Sequence, residues 1–251
     1  MPNLSLRRLF LILAAMFLGL ASASSQSPTP ILVELFTSEG CSSCPPADTL
    51  LRSLDSTQPV PGAQLIVLSE HVDYWDDLGW KDPHSSHAFT TRQQEYATRL
   101  GLATAYTPQM VVDGNIQFVG SDRALATQAF QKTRVIPKVA VTISSVTIEG
   151  RRLRAHVETG PMPSKAEIFV ALALEHADSQ VLRGENGGHR LEHVAVVRSL
   201  TSIGRPAQGE ALSKEVNLVL DSTDRPYRVI AFAQEPGQGR VLGAAIQRIQ
   251  K

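Results

Sequence analysis

ILVELFTSEGCSSCPPADTLLRSL, residues 31–54, is the stretch on which the fold turns. Ile31 to Phe36 form a short, mostly apolar run with a β-branched start, the pattern of a buried strand. Thr37 to Gly40 then turn the chain into Cys41. Pro45 and Pro46 follow Cys44, and proline suits the first turn of a helix, where a missing N–H leaves nothing unpaired. Leu50, Leu51 and Leu54 recur at helical spacing over Ala47–Leu54. Cys41 and Cys44 therefore stand between a strand and a helix start. A separation of three residues there brings two Cα atoms within disulfide reach.

That placement predicts chemistry. Unpaired N–H groups and the dipole at a helix start favour a thiolate, the nucleophile of disulfide exchange. Cys41 is expected to attack and Cys44, one turn in, to resolve. Two local features oppose each other: Pro45 and Pro46 remove N–H donors near the sulfur, while Ser42 and Ser43 add hydroxyls.

Upstream, Arg7 and Arg8 precede an apolar run from Leu9 to Leu20 and the small residues Ala21-Ser22-Ala23. This order predicts a cleavable signal peptide over residues 1–23. The run is shorter than the ~20 residues a membrane span requires. The mature protein is expected in the periplasm or secreted, with residues 24–30 as a flexible leader. In an oxidising compartment cysteines pair or do redox work, and the chain has only these two.

Downstream, Gln64–Ser69 reads as a second buried strand and Thr90–Leu100 as a helix. Thr107-Pro108 then opens the strand Gln109–Val112. Asp113-Gly114 is a hairpin signal leading to the strand Ile116–Val119, and Ser121 is placed to cap a helix over 122–134. The order β-CxxC-α-β-α-β-β-α predicts a thioredoxin-like α/β domain over residues 24–136. In that fold a cis-proline faces the dithiol, so Thr107 and Pro108 are expected to line up an extended partner segment. From Pro137 the pattern changes to seven short strands separated by Gly, Pro and Asp, which predicts an all-β, sandwich-like domain over 137–251.

VELFTSEGCSSCPPAD (33–48), HVDYWDDLGW (71–80), YTPQMVVDG (106–114) and GENGG (184–188) together resemble the blocks of the DUF1223 proteins, a bacterial family. The resemblance runs over nearly all of the mature chain. It implies an exported protein with a thioredoxin-like N-terminal domain and implies no particular reaction.

A net charge of zero gives no basis for a nucleic-acid or acidic-membrane partner. No Ser-His-Asp order, phosphate-cradling loop or nucleotide fingerprint occurs. The expected partners are protein thiols or disulfides, with no cofactor and no metal. Two alternatives compete with exchange: a copper carrier using Cys41, Cys44 and His71, and a binding module with an inert disulfide. Among the remaining polar groups, Glu39 reads as an exposed turn residue, or else as a proton shuttle beside the cysteines. Asp73, Tyr74, Trp75 and Trp80 read as a loop packing its own aromatics, or else as a lid beside the dithiol. His189 and His193 are expected on one strand face toward solvent or the other domain, with metal ligation as the alternative. Glu185–Gly188 reads as a tight turn that could touch the first domain.

Overall fold

The structure is a computed structural model and describes residues 27–249; the expected signal peptide lies outside that range. The first half runs β1 (Thr29–Thr37), α1 (Pro45–Thr57), β2 (Ala63–His71), α2 (His87–Arg99), β3 (Gln109–Val112), β4 (Ile116–Val119) and α3 (Arg123–Thr133). The second half is all strand: β5 (Val141–Glu149), β6 (Arg152–Thr159), β7 (Glu167–Gln180), β8 (Arg190–Gly204), β9 (Ser213–Val219), β10 (Tyr227–Gln234) and β11 (Val241–Ile249).

Eight of these strands form one mixed sheet in the order β11-β10-β7-β8-β2-β1-β3-β4. β1 pairs parallel with β2 and antiparallel with β3, and β3 pairs antiparallel with β4. The remaining three strands form a small antiparallel sheet, β5-β6-β9.

β1 reads as continuous apolar sequence because both of its faces are covered. Ile31, Val33 and Leu35 pack with Leu50, Leu51 and Leu54 of α1 and Phe130 of α3. Leu32 faces the other way, with Ile66, Leu68 and Phe89 of α2. Glu34 breaks the run and is fully buried. Arg92 Nε and Tyr96 Oη of α2 donate to its two oxygens at 2.8 and 2.6 Å. In the second half, Leu153, Val157, Val216 and Leu218 of the small sheet pack on Val170, Leu172, Val229 and Ala231 of the large one.

The separate sandwich expected after Pro137 is not what forms: four of its seven strands extend the first-half sheet. The junction is β8 lying parallel to β2, with Ser69 opposite Val196. Local pattern shows that a strand exists but not which edge it joins. Smaller corrections concern helix starts. α2 begins at His87, where the Ser86 side chain accepts from Ala88 N–H at 3.3 Å. Asp122, not Ser121, caps α3, accepting from Leu125 N–H at 2.9 Å.

Candidate functional site

The turn between β1 and α1 carries Cys41 and Cys44 as a disulfide, with Cα atoms 5.5 Å apart. Cys44 is the N-cap of α1, so it sits at the helix edge and not one turn inside, as expected from sequence. Pro45 and Pro46 occupy the first two helical positions, and the first helical N–H groups, of Ala47 and Asp48, bond the Cys44 carbonyl. Ser43 Oγ lies 3.3 Å from Cys41 Sγ.

Thr107-Pro108 is a cis peptide, as predicted, and opens β3. Pro108 faces the start of α1: a Cβ on Gly120 would stand 3.1 Å from Ala47 Cβ and 3.2 Å from Pro108 Cβ. Only glycine at 120 allows β4 to lie that close to both. Trp75 Nε1 donates to Thr107 Oγ1 at 2.8 Å.

Both cysteines are fully buried, at 0% exposure. Two segments cover them. The aromatic loop after β2 sets Trp75 against Gly40, where an added Cβ would meet Trp75 Cβ at 3.0 Å. Trp80 Nε1 donates to Glu39 Oε2 at 2.8 Å. This loop therefore lies against the cysteine turn, and Trp75 also packs on the apolar cluster of Phe36, Val72, Tyr96 and Val111, as the packing reading of the loop expects. The second cover is the turn between β7 and β8. Ser42 N–H donates to Glu185 Oε2 at 3.0 Å, and Asn186 Nδ2 donates to the carbonyls of Glu39 and Cys41 at 2.8 and 3.0 Å.

Behind the turn lies a buried cluster that sequence reasoning missed. Glu39, expected to be exposed, is at 0%. His193 of β8 is at 0% as well; its Nε2 stands 3.5 Å from Glu39 Oε1 and its Nδ1 3.7 Å from Asp48 Oδ1 of α1. His189, expected to share a strand face with His193, lies in the turn before β8. His71, the last residue of β2, bonds Asp82 Oδ2 through Nδ1 at 2.7 Å. Asp82 also accepts from Glu39 and His84 N–H, both at 2.8 Å. The His71 and His193 rings meet edge to face with centroids 4.7 Å apart, and His84 closes the group at 5.4 Å from His71. Arg198 Nη1 lies 3.3 Å from His84 Nδ1.

Charge in this cluster is strongly ordered. Burial lowers the basicity of His193, but Asp48 and Glu39 outweigh it and push the imidazole up to about 10. Burial, reinforced by His71, pushes His84 down to about 4, so it is neutral near pH 7. Burial opposes ionisation of Asp82, yet its partner His71 and the two backbone donors hold the carboxyl well below the usual range. Glu39 is likewise held low, with His193 and Trp80 overcoming burial and the repulsion of Asp82. Perturbed groups gathered beside the disulfide mark a candidate site.

A mixed α/β protein with a Cys-Ser-Ser-Cys disulfide at a helix start, backed by a buried histidine–carboxylate cluster, is the class these features define. The family model described as "Protein of unknown function (DUF1223)" matches residues 32–234, and the chain belongs to that family. No curated protein matches it. Among solved structures, a structural-genomics protein of Agrobacterium tumefaciens is similar at 26% identity and a TM-score of 0.67, covering 90% of this chain and all of that one. The sporulation control protein Spo0M of Bacillus subtilis aligns at 14% identity over 45% of this chain and 47% of its own, with a TM-score of 0.30. Among the described residues, no group of three or more His, Cys, Asp or Glu side chains is placed to hold a metal ion.

Proposed function

We propose that this protein is an exported thiol–disulfide exchange protein, acting in the periplasm or after secretion, with a thioredoxin-like first half. The order β2-β1-β3-β4 with a CxxC turn between β1 and α1 supports the thioredoxin-like reading. Residues 24–136 carry the redox turn, and residues 137–251 supply half of its cover through Glu185 and Asn186.

The observation that carries the proposal is the closed cysteine pair at the start of α1, with Thr107 and Pro108 at the adjoining strand edge. In the reduced protein the Cys41 thiolate attacks a partner disulfide; one partner sulfur leaves as a thiolate and a mixed disulfide forms. Cys44 then gives up its proton, attacks Cys41 Sγ and releases the second partner thiolate. The pair ends oxidised and the partner reduced by two electrons; the reverse sequence oxidises a partner dithiol. The relative reduction potentials set the direction. Because both sulfurs are covered, exchange requires the 181–189 turn or the aromatic loop to move aside.

Full burial of both sulfurs favours one second reading, a permanent structural disulfide. Equilibration with glutathione separates the two. Exchange predicts a potential above about −300 mV and a trapped mixed disulfide in Cys44→Ser; a lower potential with no trapped partner leaves the structural reading.

A further inference from the structure

We propose that His193 of β8 sets the reduction potential of the Cys41–Cys44 pair, as the buried counter-charge to the two carboxylates that flank the cysteine turn. Its use by the protein rests on the exchange reading. Its measurement does not, because glutathione reads the equilibrium of the pair without any partner.

Placement comes first. Glu39 stands two residues before Cys41, and Asp48 four residues after Cys44. The Asp48 N–H donates to the Cys44 carbonyl at 3.1 Å, and residues four apart lie on one face of a helix. His193 Nε2 is 3.5 Å from Glu39 Oε1, and its Nδ1 is 3.7 Å from Asp48 Oδ1. A single imidazole from the second half of the chain therefore stands between both flanks of a turn in the first half. His193 touches neither flank covalently and no sulfur by hydrogen bond, so its role is that of a positioning residue.

Charge comes second. Glu39, Asp48 and His193 are all buried, and a buried charge acts on its neighbours with little screening by water or salt. The other groups facing His193 are matched or neutral. Asp82, on the loop after β2, bonds His71. Arg198 of β8 bonds Asp221. His84, with its ring centroid 6.3 Å from that of His193, is neutral near pH 7. Asp48 and Glu39 hold His193 as the imidazolium, which loses its proton only at about pH 10. Two carboxylates and one cation thus back the sulfurs, and His193 is the group that offsets both acids.

The consequence is thermodynamic. Reduction by glutathione puts two electrons into the pair, breaks the Cys41–Cys44 bond and joins two glutathiones in a disulfide. The two glutathione thiol protons pass to the cysteines, or one of them to water where Cys41 stays a thiolate. The imidazolium favours that thiolate and the carboxylates oppose it. Stabilising the reduced form raises the potential and makes the disulfide easier to reduce. Neutralising His193 therefore lowers the potential, and neutralising Glu39 raises it. A purely structural role predicts otherwise: either change breaks the same Glu39–His193 contact, so a loosened turn would move both variants in one direction.

The test equilibrates the folded mature protein with glutathione buffers at about pH 7 and follows the Cys41 thiolate of the reduced form by ultraviolet absorbance across pH. His193→Gln should make the disulfide about tenfold harder to reduce, a fall of ~30 mV, and move the thiolate titration to higher pH. Glu39→Gln, which keeps an oxygen for Trp80 Nε1, should make the disulfide about tenfold easier to reduce and move the titration to lower pH. The double variant should lie near wild type. If His193→Gln does not fold, Glu39→Gln and Asp48→Asn still decide, since both should raise the potential. Unchanged potentials in the folded variants, or shifts of one sign in His193→Gln and Glu39→Gln, overturn the proposal. Absence of a trapped partner in Cys44→Ser would sink the exchange reading and leave these shifts standing.

Discussion

At the scale of single residues, Asn186 is the fastening between the two halves at the cysteine turn. Its one amide spans the carbonyls of Glu39 and Cys41, and the residue is only 7% exposed. Asn186→Ala strands the buried Glu39 carbonyl, while the Cys41 carbonyl keeps the Cys44 N–H, and should cost about 1–3 kcal/mol. It should also speed reduction of the disulfide by dithiothreitol in the native protein, since the 181–189 turn then loses two of its three hydrogen bonds to the cysteine turn. Thermal melts and reduction kinetics check both; a melt that falls while reduction stays unchanged would show that this turn does not gate the sulfurs. The Cys41–Cys44 pair and the cis form of Thr107-Pro108 were legible in sequence because spacing and proline chemistry act locally. Glu39 and His193 were not. They lie 154 positions apart in the chain, and each looks like an ordinary polar residue until β8 is laid beside β2. The one available signal was the Glu185–Gly188 turn, read as a possible contact with the first domain, which brings this part of the second half to the cysteines.

At the scale of elements, the strands and helices followed from pattern, and their ends were less secure. Apolar runs fixed the existence of β1, β2 and all seven later strands, because burial on one or both faces writes itself into composition. Helix ends depend on a single side-chain hydrogen bond, which several neighbouring residues could supply. At α3 both Ser121 and Asp122 qualify by type, and only the geometry selects Asp122. Asp122→Ala should therefore destabilise the protein by about 1 kcal/mol, while Ser121→Ala should leave it nearly unchanged. Chemical denaturation of the two variants distinguishes the caps; equal losses would mean that the end is held by packing. The same measurement is informative for the site, because α3 and α1 pack on one face of the sheet through Phe130 and Leu51.

At the scale of the whole molecule, the continuous sheet makes the two halves one mechanical body, and a few buried charges tie them where sequence gives no hint. Arg228 of β10 holds Asp55 of α1 and Glu175 of β7. Asp113, read from sequence only as a hairpin residue, does more. It accepts from Leu32 N–H of β1 at 2.9 Å, its backbone carbonyl accepts from Val241 N–H of β11, and Lys138 Nζ meets it at 2.6 Å. Lys138 also donates to the Val241 carbonyl at 2.9 Å, so one ion pair joins β1, the 113–114 turn and β11. Burial pushes the Asp113 carboxyl up to about 6 despite the pull of Lys138. A raised carboxyl gives its full stability below its unfolded value of 3.8 and loses it as pH rises through about 6. Lys138→Met removes the cation and drives that carboxyl higher still, so the loss extends to neutral and alkaline pH. The variant should be less stable than wild type by about 3–5 kcal/mol at roughly pH 8, the cost of an unpaired buried charge. At about pH 5 a protonated Asp113 needs no counter-ion and the deficit should shrink to a fraction of that. Melts across this range test the idea. A deficit that is the same at both ends would mean that Lys138 holds the halves together by packing its alkyl stem, and that the charge on Asp113 contributes nothing to the union of the sheet.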